Sequence, residues 1–188
     1  MRATVLLTAA TLLATPLAAQ APKLTAAPST RATTVLTLNL PRVQGQPAPA
    51  PLTVKIDYGQ PHARGRAVPA ELGKDGTVWR TGANTSTTFT TDVDLTIGSA
   101  SVPKGAYSLY TIREGGKYFL IINTNTGQWG TEYVKDKDLA RVELTARTLH
   151  EPMESLQIAL VPPMQGPPAG ALTIAWGTLH LSTTWAVK

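Results

Sequence analysis

Phe89-Thr90-Thr91-Asp92-Val93-Asp94-Leu95-Thr96-Ile97 places Phe89, Thr91, Val93, Leu95 and Ile97 on one face and Thr90, Asp92, Asp94 and Thr96 on the other. Side chains of a strand point alternately to opposite faces, so this period of two marks a half-buried β-strand. Asp92 and Asp94 then share the solvent face. The same period recurs upstream, where Leu36, Leu38 and Leu40 alternate with Thr37 and Asn39, and Leu52, Val54, Ile56 and Tyr58 with Thr53, Lys55 and Asp57. Downstream, Tyr107 to Ile112 and Lys117 to Asn123 flank Glu114-Gly115-Gly116 as a hairpin. Four further alternating segments follow at 140–144, 156–160, 172–176 and 179–185. Proline and glycine mark the stretches 41–51, 59–76 and 162–170 as loops, and no window sustains a helical period. Many short strands with such turns predict an all-β protein, a single antiparallel β-sandwich with proline-rich loops. A β-barrel is the alternative closure.

The chain opens with Met1-Arg2-Ala3-Thr4, an apolar run through Val5-Leu6-Leu7 and Leu12-Leu13, and Pro16-Leu17-Ala18-Ala19. A basic start, a short apolar centre and small residues at the end predict a secretory leader over 1–20, cut after Ala19 or close to it. The run is too short for a membrane span, which takes about 20 apolar residues. Residues 21–31 read as a flexible lead-in and 32–188 as one domain. The expected location is therefore periplasmic or extracellular.

Composition removes several functions. There is no Cys and there are 3 His, which excludes the common zinc and iron–sulfur ligand sets, so no metal and no cofactor is expected. The formal charge is +5, from 17 basic and 12 acidic residues, with no clustered run. That pattern gives a mildly cationic surface rather than the basic stripe of a nucleic-acid binder.

Thr77-Val78-Trp79-Arg80-Thr81-Gly82-Ala83-Asn84 is the most informative polar stretch. On a strand, Trp79 and Arg80 face opposite ways, so a buried Trp79 leaves the five donors of Arg80 on the other side. Ile56-Asp57-Tyr58, Gln60-Pro61, Arg64-Gly65-Arg66, this stretch, Pro103-Lys104-Gly105-Ala106-Tyr107-Ser108-Leu109-Tyr110-Thr111-Ile112 and Gln128-Trp129-Gly130 occur in that order. Together they resemble the DUF2911 family of exported bacterial domains over about residues 52–188. The resemblance implies an all-β exported domain and supplies no catalytic residues.

Three functional readings follow. The leading one is a non-catalytic module that binds a small ligand, a glycan or a partner protein. Its surface would comprise Arg64, Arg66, Arg80, Asn84 and Gln128, with Trp129 as an aromatic wall. The second is a hydrolase with a polar pocket around Arg80 and Asn84, in which His62 or Asp57 acts as base and Arg80 stabilises an anion. The third is a structural envelope protein. Ser86 and Ser108 lie near these motifs, but no G-x-S-x-G elbow is present. The bland reading of Arg80 is an ion pair with an acid such as Asp57. The leader yields the first testable outcome: intact-mass measurement of the exported protein should show the N-terminal segment removed, and a product starting at Met1 refutes it.

Overall fold

The computed structural model describes residues 23–68 and 74–188, so the leader expected over 1–20 lies outside the described residues. Ten strands are present: β1 (Ser29–Leu38), β2 (Leu52–Pro61), β3 (Val78–Trp79), β4 (Thr87–Thr91), β5 (Leu95–Ile97), β6 (Ala100–Val102), β7 (Gly105–Glu114), β8 (Lys117–Asn123), β9 (Asp138–Val161) and β10 (Ala169–Val187). One 3₁₀ turn, Lys135–Lys137, precedes β9. Among the described residues there is no α-helix, and no helix is long and apolar enough to cross a membrane.

The strands form one antiparallel sheet in the order β1-β2-β4-β7-β8-β9-β10-β5-β6, with β3 paired to β7. It folds over on itself as a sandwich and is not closed into a barrel. One apolar core lies between the layers, joining Val54, Ile56, Phe89 and Leu109 from one side to Ile158, Ile174, Leu181 and Trp185 from the other.

The nine-residue segment Phe89 to Ile97 is not one strand. Its alternation is real, since Phe89, Leu95 and Ile97 are all buried. The backbone breaks between β4 and β5, however, and the two pieces pair with different neighbours, β4 with β2 and β7, β5 with β10 and β6. Asp92 and Asp94 are exposed, as their parity predicts, and they also hold this corner. Asp92 Oδ2 accepts the Thr53 backbone N–H at 2.7 Å and the Thr53 hydroxyl at 2.8 Å, and these bonds hold its carboxyl below the usual range. Asp94 Oδ1 accepts the Lys104 N–H at 2.8 Å. Between the two acids the Thr91 hydroxyl donates to Val93 O at 2.7 Å and accepts the Val93 N–H at 3.2 Å, a local side-chain-to-backbone pairing that favours a turn over the ladder.

A second difference concerns the C-terminal half, where segments expected as separate strands merge into β9 and β10. Residues 138–144 of β9 pair with β8, and residues 145–161 with β10. Pairing jumps from Gln157–Ala175 to Met153–Gly177 and then to Thr148–Leu179, so β9 carries the extra residues of a bulge within its stretch against β10. Sequence periodicity is interrupted at the bulge, and one strand reads as two. The lead-in is also shorter than expected, because Ser29 to Arg31 already pair with β2 and Arg31 forms an ion pair with Asp57.

β9 leaves its second edge toward β1 and β2. There Gln60 Nε2 donates to Leu156 O at 2.9 Å, Thr34 Oγ1 to Ile158 O at 2.5 Å, and the Ile158 N–H to Tyr58 Oη at 3.2 Å. Side chains thus satisfy most of this edge, beside a single backbone bridge between His62 and Ser155, where a barrel would use a continuous ladder. Beside the seam, Trp79 stacks on Trp176 with ring centroids 6.0 Å apart and planes 11° from parallel. Both rings are buried. Truncating either Trp79 or Trp176 to Ala should lower stability by about 3–5 kcal/mol, read from urea midpoints.

Candidate functional site

The site is built on β3, a strand of only two residues. Trp79 opposes Thr111 of β7 and turns into the core, and Arg80 emerges half-buried on the outer face. The chain then turns through two non-glycine residues in left-handed backbone, Thr81 at φ 50° and Asn84 at φ 65°. Three bonds fix the turn. Thr81 Oγ1 meets Thr111 Oγ1 at 2.8 Å, the Thr87 hydroxyl donates to Thr81 O at 2.9 Å, and the Ala83 N–H to Gly59 O at 3.0 Å. Gly59 is demanded by this packing, because a Cβ there would sit 1.9 Å from Ala83 O.

The turn meets Gln128-Trp129-Gly130 directly. Asn84 O accepts the Gly130 N–H at 2.9 Å, Gln128 O accepts the Ser86 N–H at 3.1 Å, and Thr85 forms a single β-bridge with Trp129. Arg80 lies over the Trp129 ring, its guanidinium carbon 6.0 Å from the centroid, and its Nη1 donates to Asn84 O at 3.4 Å. Among the described residues Arg80 forms no ion pair. The bland partner is occupied elsewhere: Asp57 is held by Arg31 and by the Thr33 hydroxyl.

Beside Arg80 a cavity of about 210 Å³ is lined by Thr77, Val78, Trp79, Tyr110, Gly130, Thr131 and Tyr133. Tyr110 and Tyr133 meet edge to face, with centroids 5.0 Å apart and planes at 62°. Their hydroxyls are tied down. Gln128 Nε2 donates to Tyr110 Oη at 2.7 Å; Tyr133 donates to Asp138 Oδ2 at 2.6 Å and accepts from Arg141 Nη2 at 3.1 Å. Burial pushes both phenols up, Tyr133 to about 12, so both stay neutral at physiological pH.

Six residues were expected on this surface, and the structure divides them. Arg80, Asn84, Gln128 and Trp129 come together, although Gln128 turns its amide under the surface to Tyr110 and only Arg80 of the four lines the cavity. Arg64 and Arg66 belong to another place. Arg64 donates its backbone N–H to Glu154 Oε1 and its Nη2 to Ala27 O, and Arg66 donates to Ala63 O and His62 O. Both therefore brace the irregular excursion after β2, since a guanidinium with several donors is well suited to collecting loop carbonyls. His62 goes with them, Nδ1 lying 2.8 Å from Ser155 Oγ and Nε2 3.5 Å from Thr30 Oγ1. Among the described residues no cluster of three or more His, Asp or Glu has metal-site geometry.

Sequence reasoning missed Tyr110, Tyr133 and Val78. The first was within reach, because alternation along β7 puts Ser108, Tyr110 and Ile112 opposite Tyr107, Leu109 and Thr111. Pairing Trp79 with Thr111 then puts Tyr110 on the face of Arg80. Tyr133 arrives on a loop with no periodic signal.

The geometry is thus an all-β fold with a cavity beside an arginine that has no carboxylate partner among the described residues. The chain belongs to the DUF2911 family, described as a protein of unknown function, whose model matches residues 43–184. No curated protein and no solved structure matches it.

Gly130 supplies a direct check on how the two motifs lock. Its φ is not left-handed, yet a Cβ would lie 2.5 Å from Arg80 Cδ and 2.7 Å from Asn84 O. Gly130→Ala should cost about 1–3 kcal/mol by overpacking. A denaturation midpoint equal to that of the parent protein contradicts the lock.

Proposed function

We propose that this protein is an exported, non-catalytic module that binds a small ligand in the cavity beside Arg80. One observation carries the reading: a half-exposed guanidinium, held over Trp129 with no carboxylate partner among the described residues, stands at the edge of an aromatic cavity. A structural arginine gains little from that arrangement, since an exposed cation–π contact contributes only about 0.5–1 kcal/mol. A ligand-gripping arginine needs it, because the planar fork must keep donors available. At about 210 Å³ the cavity suits a small molecule or one end of a larger one. Export is supported by the leader-like N-terminal sequence.

The hydrolase reading has no comparable support. His62 bonds Ser155 and Thr30, and Asp57 bonds Arg31 and Thr33, so neither expected base is bonded to Arg80 or lines its cavity. A base must come within hydrogen-bond reach of the proton it takes.

A thermal-shift screen of the purified protein against sugars, carboxylates, phosphates and short peptides tests the proposal. A ligand at 100 times its Kd should add about 2.7 kcal/mol of stability. Arg80→Ala should abolish that gain while changing the stability of the free protein by no more than about 1 kcal/mol. Unfolding of the variant would instead assign Arg80 a structural role.

A further inference from the structure

Resting on the binding-module reading above, we infer that the group recognised at this site is a carboxylate monoanion attached to an apolar or aromatic body. The charge comes first. Arg80 is the single charged side chain in the cavity lining among the described residues, and no second cation joins it. One guanidinium matches the charge of one carboxylate, and its parallel N–H donors match the two coplanar oxygens. A phosphate dianion calls for more positive charge than one arginine brings. The orientation of Arg80 is already restricted, with its head on the Trp129 face and one Nη1 bond at 3.4 Å to Asn84 O, so its remaining donors need less ordering on binding.

The body of the ligand follows from what the tyrosines withhold. Gln128 engages the Tyr110 hydroxyl, and Asp138 with Arg141 engages that of Tyr133. Tyr110 is buried, so what this pair offers an occupant is chiefly the Tyr133 ring, continued by Val78. Neutral, hydroxyl-rich ligands need several convergent donors and acceptors, and burying their groups without partners is costly. Ring surface next to one cation instead favours an amphipathic acid. Two sources share this chemistry: a free small carboxylic acid, and the C-terminal carboxylate of a peptide whose last side chain is apolar.

Amide-detected NMR of the protein as purified separates the outcomes, with Gly130 N–H, the Trp129 indole N–H and Arg80 Nε–H as reporters. The probes are phenylacetate, phenylacetamide, an acetylated tripeptide ending in Phe as free acid and as amide, inorganic phosphate, and neutral glucose. The acids should shift the reporters and bind at least tenfold more tightly than their amides, and Arg80→Gln should remove that difference. Arg80→Lys, which keeps the charge without the fork, should bind the acids at least tenfold more weakly than the parent. Should Arg80→Gln fail to fold, the acid-to-amide ratio and Arg80→Lys still decide. Response to phenylacetate alone identifies a free acid as the source, and response to the peptide acid includes chain termini; either supports the inference. Phosphate binding as tightly as the acids, or acids no tighter than amides, overturns the carboxylate. Glucose shifting the reporters equally in parent and Arg80→Gln overturns it too, yet leaves the binding-module reading standing. Silence from every probe here, together with no hit in the thermal-shift screen, removes both.

Discussion

A strand of twenty-four residues imposes the main constraint on this fold. Sheets twist, so a strand of that length cannot keep the same two neighbours along its course. β9 resolves this by pairing with β8 through Leu144 and with β10 from Thr145 onward, and by bulging farther along, between Thr148 and Gln157. The bend exposes the backbone of residues 154–158 to β1 and β2. Buried polar backbone must find partners. Tyr58, Gln60 and Thr34 provide them, together with the Ala63 N–H bonded to Glu154 O at 2.7 Å. At this seam backbone pairing is limited to the single His62–Ser155 bridge, and side chains take the neighbouring positions up to Ile158, so no continuous ladder closes the sheet into a barrel. The seam also fixes the excursion after β2, and with it Arg64, Arg66 and His62, away from the Arg80 site.

The Arg80 site depends on the same economy of space. Gly59 lets Ala83 come close, which sets the turn, and the turn sets Asn84 O between the Gly130 N–H and Arg80 Nη1. Gly130 lets the Arg80 stem cross it. Two glycines far apart in sequence thus hold one arginine over one tryptophan. This is a packing argument for why the tryptophan-arginine and glutamine-tryptophan-glycine stretches belong together, and it requires nothing of any ligand. Packing leaves the Arg80 guanidinium with donors to spare.

Alternation along the chain made most strands legible, because a residue's face follows from its parity wherever one side is buried. Trp79 and Trp176 both fell on the core side by that rule, and Arg80 fell opposite Trp79. The rule failed where side-chain chemistry overrode it. Asp92 and Asp94 keep parity with solvent positions, yet the strand breaks beside them, where Thr91 bonds the Val93 backbone and the two acids tie the corner to Thr53 and Lys104. The division of the expected surface was not legible at all. Arg64 and Arg66 look no different from Arg80 in sequence, and what separates them is which carbonyls the seam leaves nearby. Tyr133 and Asp138, which shape the cavity, lie on an aperiodic loop and at a strand start, where local pattern carries no information about neighbours.

Backbone strain gives the last link between this turn and binding. Left-handed conformations in non-glycine residues cost of order 1–3 kcal/mol and persist only where the surroundings enforce them. Asn84 tolerates its φ of 65° easily, whereas Thr81 is β-branched and its φ of 50° is a genuine outlier. A glycine at 81 would relieve the strain. It would also lose the buried bond between Thr81 Oγ1 and Thr111 Oγ1, which pins the turn to the strand beneath. The threonine therefore exchanges local ease for rigidity immediately after Arg80. For a packing turn that exchange brings little, since Gly82 is already the next residue. A binding arginine benefits directly, because every degree of freedom removed before the ligand arrives is one that binding does not have to freeze. The strain at Thr81, and an Arg80 charge with no carboxylate partner among the described residues, both fit the proposed binding role.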